Sequence, residues 1–449
     1  MIRVGADVRG GASGDSLGEV RPVIEAVSPR WHQGVGAVAT VLVVALVTTA
    51  IAGASANGRV KVRSESGSGA ARVQPSRANS SGVVLTGFGR ARDDEAFGVA
   101  VQRDGKIVVA GVDQRAGSIQ GSDVHIAVAR YEPDGRLDTG FGVNGKVLVS
   151  GDGAGVAAVA VLPDGKIVAG GSTLVRLLPD GRLDAGFGLR GTLETDPAWT
   201  FAIQRDGKLV AAGEAHSRFT VARYSADGRL DRGFGLNGRA SADFDSGYDP
   251  DACDYVNAVS IQSDQKIVAI GTVNDDGAGQ AAQFGLARYT VTGLLDPSFG
   301  TGGTVRTEIG GESYANTGAI QADGKIIAAG YRGDGAGIAL ARYLPNGRLD
   351  ATFGVRGQVR GRTGGVSALA IQRDGKILVA RGAVMFRYSS RGSLEPSFGA
   401  RTTLSSFVNV HAIALQGNAK ILVAGRSDKG DFALARLTAD GRLDPTFGR

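Results

Sequence analysis

A four-residue signature, Asp-Gly-Lys followed by Ile or Leu, recurs along the chain at 104–107, 164–167, 206–209, 323–326 and 374–377. Two altered copies stand at Asp264-Gln265-Lys266-Ile267 and Asn418-Ala419-Lys420-Ile421. The seven lysines run from Lys106 to Lys420 with a mean spacing of about 52 residues, the range of propeller blades. This period constrains the fold more than any composition figure does. A unit so short cannot bury its own apolar face, so it must stack on its neighbours.

Each copy continues into a second apolar strand ending in Arg-Tyr, Arg-Leu or a close variant (IAVARY, TLVRLL, FTVARY, FGLARY, IALARY, VMFRY, FALARL), then a turn, then Leu-Asp-x-x-Phe-Gly or its variant. The Asp-Gly dipeptides supply the positive φ that tight turns require. An apolar strand precedes each lysine and a short strand follows each Phe-Gly, giving four strands per unit. No long segment of 3.6-residue period occurs in 82–449, so the expected fold is all-β: a seven-bladed β-propeller of four-stranded blades. The last repeat stops at Phe447-Gly448-Arg449, while Gly82-Val83-Val84-Leu85-Thr86 stands alone before the first and parallels Gly145-Lys146-Val147-Leu148-Val149. The N-terminal strand is therefore expected to complete the last blade and close the ring against edge exposure.

These motifs resemble the delta-60 repeat family, bacterial repeats built around DGKI and LDxxFG, and the pattern is similar to NHL-type propeller blades. The resemblance covers 82–449. It departs at Gln265, at Glu395, which replaces the usual Asp, and at Asn418-Ala419. It implies an exported propeller-like module and supplies no catalytic residues.

Upstream, residues 1–34 are polar, and 35–56 (VGAVATVLVVALVTTAIAGASA) are apolar or small throughout. Such a stretch is one hydrophobic helix, either a signal peptide cleaved after Ala54-Ser55-Ala56 or an uncleaved signal anchor. Both readings place the propeller outside the cytoplasm, secreted or membrane-anchored, with membrane contact only through this segment. Residues 57–81, rich in Ser, Gly and Arg, read as a flexible linker.

Residues repeated in every blade are read as scaffold. The third-strand Arg and the acid eight residues on (Arg130/Asp138, Arg176/Asp184, Arg223/Asp231, Arg288/Asp296, Arg342/Asp350, Arg387/Glu395, Arg436/Asp444) form the expected Arg–carboxylate clamps, and the Phe three further on is core. Loop length varies instead between strands two and three, where Lys-to-Arg runs from 10 residues (166 to 176) to 24 (106 to 130), and between blades. Both loop types emerge on one face of an up-and-down blade, which makes that face the expected binding surface. Its candidates are Asp93, Asp113, Trp199, His216, Tyr248, Asp275 and Tyr314. The insertion ADFDSGYDPDACDY (242–255) offers Asp243, Asp245, Asp249 and Asp251 as candidate Ca²⁺ ligands without EF-hand spacing; a solvated acidic loop is the alternative.

The single cysteine, Cys253, excludes an intramolecular disulfide framework and multi-cysteine metal sites, and four histidines leave little for a histidine cluster. The net charge of +6 is spread over fixed repeat positions rather than clustered, which argues against nucleic acid. No GxSxG, HExxH or phosphate-binding glycine loop is present. The expected function is a monomeric binding or scaffold module for a protein or glycan ligand. The alternative is a carbohydrate-active hydrolase or lyase using scattered polar residues at the channel mouth.

Overall fold

The computed structural model describes residues 77–80, 82–89, 92–115, 124–150, 156–196, 199–244, 254–274, 281–333, 337–361, 364–398 and 404–449. The polar segment 1–34, the apolar run 35–56 and most of the linker lie outside the described residues. Among the described residues no helix is long and apolar enough to cross a membrane.

Seven antiparallel sheets follow one another along the chain. The first comprises Arg92–Val101, Ile107–Arg115, Val124–Tyr131 and Lys146–Ser150, hydrogen-bonded in that order. The second to fifth repeat this four-stranded order, and the sixth shows three strands, Ala368–Ile371, Ile377–Arg381 and Val384–Tyr388. In the seventh, Phe407–Leu415, Ile421–Ser427 and Phe432–Leu437 come from the end of the chain. Val83–Thr86 pairs antiparallel with Phe432–Leu437, Val83 opposite Ala435 and Thr86 opposite Phe432. The first strand of every sheet packs on the first strand of the next, and Phe407–Leu415 packs on Arg92–Val101, so the innermost strands form a closed ring. The fold is an all-β, seven-bladed propeller.

Strand alternation explains why the middle strands are continuously apolar. Of the second strand of blade one, Val108 and Ala110 pack with Ile167 and Ala169 of blade two, whereas Ile107 and Val109 pack with Leu422 and Ala424 of blade seven. Period-two alternation thus sends successive residues to opposite neighbours. Seven separate hydrophobic clusters result, one between each pair of adjacent blades. Tyrosines ending the third strands reinforce them: Tyr131 Oη bonds Thr86 Oγ1 at 2.8 Å, Tyr343 Oη bonds Thr307 Oγ1 at 2.9 Å, and Tyr289 Oη donates to Phe219 O at 3.0 Å.

Candidate functional site

The two faces of the propeller use their side chains differently. On the face of the constant turns, every signature residue is committed to a latch. Arg288 Nε and Lys266 Nζ both lie 2.9 Å from Asp296 Oδ2. The guanidinium sits 4.6 Å from the centre of the Phe299 ring, and its Nη1 donates to Pro345 O in the turn of the next blade. The same arrangement recurs in all seven blades; the last latch reaches the first blade, Arg436 Nη1 donating to Pro133 O at 2.6 Å. Arg436 and Lys420 hold Asp444 at 2.7 and 2.6 Å. Burial pushes these aspartates up, but hydrogen bonds from the lysine and from backbone or Ser/Thr donors, with the Arg charge, outweigh it. Asp296 and Asp444 are held well below the usual carboxylate range. The clamp residues Arg130, Asp138, Arg223, Asp231, Arg342 and Asp350 are built the same way. A cleft of about 370 Å³ on this face is lined by Leu162, Asp164, Lys166, Arg176 and Asp227, but Lys166 and Arg176 are already held by Asp184.

On the opposite face the inner strands differ from blade to blade. Counted from each Asp-Gly-Lys lysine, the position nine residues earlier is Phe97, Ala157, Trp199, Asn257, Asn316, Ser367 and His411. In blades one, four, five and seven this residue is skipped by a β-bulge, which re-aims side chains beside it. The bulge needs a glycine opposite. A Cβ on Gly271 or Gly330 would come within 1.7 or 1.8 Å of the carbonyl oxygen of Tyr255 or Tyr314, so only a bare backbone allows the approach. Blade six carries Arg381 in the equivalent place, and its inner strand Ala368–Ile371 is regular.

Two groups of side chains follow around the mouth of this face. Blades three to five present aromatic rings: Trp199 lies 5.9 Å from Tyr255, and Tyr314 stacks on Tyr331 at 4.9 Å with a 17° tilt. Tyr255 and Glu312 both act electrostatically on Tyr314, which links the two ring pairs. Burial, then the charge of Glu312 and its hydrogen bond, push the Tyr314 hydroxyl up to about 12. Trp199 is 39% exposed and Glu312 is exposed, while the tyrosines are half-buried. Blades seven and one present charge: His411 Nε2 lies 2.7 Å from Glu95 Oε1, and Arg426 Nη2 lies 3.1 Å from Asp93 Oδ1.

Beneath this second group is a buried acidic cluster. Asp94 and Asp113 are cross-strand partners, 1% and 0% exposed. Asp94 Oδ2 accepts from Phe88 N at 2.8 Å, and Lys146 Nζ donates to Gly87 O at 2.6 Å beside them. Burial, the hydrogen bond with Asp113 and the charges of Asp113 and Asp431 raise Asp94 to about 8.

The residues expected on the binding surface therefore separate. Trp199 and Tyr314 join one aromatic arc. Asp93 reaches the mouth but is paired with Arg426. His216 is exposed on a turn with φ +54°. Asp113 is corrected: it is fully buried against Asp94 and presents nothing to a ligand. Tyr248, Asp275, Asp245, Asp249 and Asp251 lie outside the described residues. Of the acidic insertion, Asp243 is bound to Arg218 at 2.8 Å, and Asp254 is buried, raised to about 7 by desolvation and by Asp243 and Glu214. Among the described residues no three His, Cys, Asp or Glu side chains are gathered for a metal. Sequence reading missed Tyr255, Tyr331, Glu312, His411 and Glu95. Aligning the repeats on their lysines would have exposed Glu95 and Tyr255, since Glu95, Tyr255, Tyr314 and Asn409 share the position eleven residues before it, and His411 stands two residues nearer.

Comparison with known proteins is consistent with this architecture. Residues 102–141, 162–187, 204–234, 262–299, 321–353 and 416–447 match a family model described as "Domain of unknown function (DUF5122) beta-propeller". Each matched segment runs from the end of an inner strand to the latch phenylalanine, and the sixth blade is the one without a match. No curated protein matches the chain. Among solved structures, a catalytically inactive virginiamycin B lyase from Staphylococcus aureus with quinupristin is 12% identical, with a TM-score of 0.49 over 79% of this chain and 99% of that one. Raptor from Chaetomium thermophilum is 11% identical, TM-score 0.47, over 83% and 30%. Sqt1 from the same organism is 11% identical, TM-score 0.44, over 74% and 80%. With six blades matched to one propeller family model, the chain is a β-propeller repeat protein.

Proposed function

We propose that this protein is an exported or cell-surface binding module, monomeric and built of delta-60 repeats, that holds a glycan through the variable-loop face. One observation carries the reading: the constant face commits its repeated charges to latches, while the other presents Trp199, Tyr255, Tyr314 and Tyr331 in an arc at the mouth. Aromatic rings with hydroxyl or N–H edges supply large, rigid contact area and a polar handle together, the combination that sugar rings require. Loops placed by a rigid scaffold are the usual place for such a site.

The test is a glycan array probed with the purified propeller, then with Trp199→Ala and Tyr314→Ala. We expect binding to one polysaccharide class, lost at least tenfold in either variant with unchanged melting temperature. A protein that captures no glycan, or variants that bind like wild type, would end this reading in favour of a protein ligand. A second reading, a carbohydrate-active hydrolase or lyase, is favoured by the His411–Glu95 pair, whose geometry suits proton transfer. It requires product formation from the bound glycan, abolished in His411→Asn.

A further inference from the structure

The aromatic arc lies in surroundings whose charge is opposite to that of the chain. The protein is +6 overall, yet the groups bordering the rings are acids. Glu312 hydrogen-bonds Tyr314 and acts on Tyr331; Asp254 precedes Tyr255 and has Glu214 and Asp243 for neighbours. Arg218 and Asp243 offset one another at 2.8 Å, and Arg332, following Tyr331 in its strand, is directed away from the Tyr314–Tyr331 stack by the two-residue alternation, which leaves Glu312 as the charge at the edge of that stack. His216 stands on an exposed turn at the rim.

The π faces of Trp and Tyr are themselves electron-rich, so a cation placed over them is attracted by the ring quadrupole as well as by the carboxylates. An anionic or strongly acidic ligand meets repulsion from Glu312 and Glu214 at this place. A neutral sugar gains stacking alone. A sugar bearing an ammonium group gains three contributions at once: its C–H face packs on a ring, its hydroxyls meet tyrosine hydroxyls, and its cation lies between ring face and carboxylate. We propose that the arc of Trp199, Tyr255, Tyr314 and Tyr331, with Glu312 at its edge, binds an amino-sugar polymer through its ammonium groups. This rests on the reading of the variable-loop face as a glycan surface and specifies the charge of the glycan.

The experiment uses two probes of one backbone, a β-1,4-linked glucosamine hexamer and its fully N-acetylated counterpart, titrated at a pH where the free amines are protonated. The amino hexamer is expected to bind at least tenfold more tightly, with a preference that shrinks as salt is raised. Glu312→Gln keeps the tyrosine hydrogen bond available and is expected to remove the preference by lowering the affinity for the amino hexamer. Trp199→Ala is expected to weaken both hexamers, and the melting temperature of each variant reports whether it is folded. Equal affinity for the two hexamers, or a preference that survives Glu312→Gln, overturns the charge assignment and leaves the glycan reading standing. Absence of binding to either hexamer overturns the amino-sugar assignment, and the broader array then decides separately whether any glycan is held.

Discussion

The contact between blades four and five and the contact between blades seven and one solve the same problem with different chemistry. At the first, the bulged Asn257 donates from its amide to Ala315 O at 2.8 Å; one blade on, Asn316 does the same to Val366 O at 3.0 Å. The chain also runs continuously through both junctions. At the second, the bulged residue is His411, its partner is the side chain of Glu95, and Arg426–Asp93 stands beside it over the buried Asp94–Asp113 pair. Here the chain crosses too, from Val83–Thr86 on the outside of blade seven into Arg92–Val101 of blade one, and the noncovalent seam lies inside blade seven, where Val83–Thr86 is laid against Phe432–Leu437. Amides do not titrate, whereas the bulged His411 and its partner Glu95, like Arg426 and Asp93 beside them, are ionisable. The junction next to the noncovalent seam is the one whose bulge contact is built from ionisable side chains.

The largest test of that contrast removes the closing strand. Val83, Val84 and Leu85 are each at most 4% exposed, so deleting 82–87 forfeits roughly 2 kcal/mol per side chain and bares a sheet edge. A broadened, strongly lowered thermal transition is expected; an unchanged melt would show that the junction does not depend on this strand.

Next come the latches, which are alike at both junctions and serve as the control. Arg288→Ala and Arg436→Ala each leave a buried aspartate without its guanidinium partner, a loss of about 3–5 kcal/mol. Chemical denaturation should give similar values for both, and a shift in ligand binding without a shift in stability would remove the latch assignment.

The pH dependence is smaller and more discriminating. Asp94 is raised in the folded state, so its contribution is full below the unfolded carboxylate value near 4 and is lost as pH rises toward 8. The latch aspartates are lowered, so theirs is present above 4 and lost in acid. Asp94→Asn should therefore flatten the fall in melting temperature between pH 5 and about 8.5 while leaving acid unfolding as it was. A wild-type profile flat over that interval would break the comparison.

The smallest effect concerns a turn. Ala419 holds φ +62° where most copies have glycine, so Ala419→Gly should raise stability by about 1 kcal/mol. Gln265, at φ +67°, occupies the same place, but its side-chain Oε1 accepts from Arg205 N at 3.1 Å and its Nε2 donates to Gln262 O at 3.5 Å. Replacing it should gain less, as a melting series of the two variants would show.

What the sequence made legible follows from repetition. An arginine and an acid at constant separation can be paired without knowing the fold, because seven copies with the same spacing leave one geometry. The repeat also located the variable face. The partners added by the fold were not legible: that Lys266 joins Arg288 on Asp296 depends on how two turns of one blade meet, and that Arg288 reaches Pro345 O depends on how one blade leans on the next. Asp113 misled because its place in a variable repeat end suggested exposure, whereas its strand partner Asp94 and the blade-seven loop cover it. Tyr255 and Tyr331 were passed over because aromatic residues in strands ordinarily belong to a core.

The strand that closes the ring is made first and used last. During synthesis Val83, Val84 and Leu85 emerge long before Phe432–Leu437, the strand they finally cover. Throughout that interval the growing chain carries an apolar strand paired on one edge by Arg77–Ser80 and open on the other, and, at its advancing end, an unfinished sheet edge. Both are open to pairing with another chain. Closure is also a contact of very long sequence separation, which adds loop-closure entropy to the final step and slows it. A chain of this design depends on keeping one edge of Val83–Thr86 open until its last blade arrives.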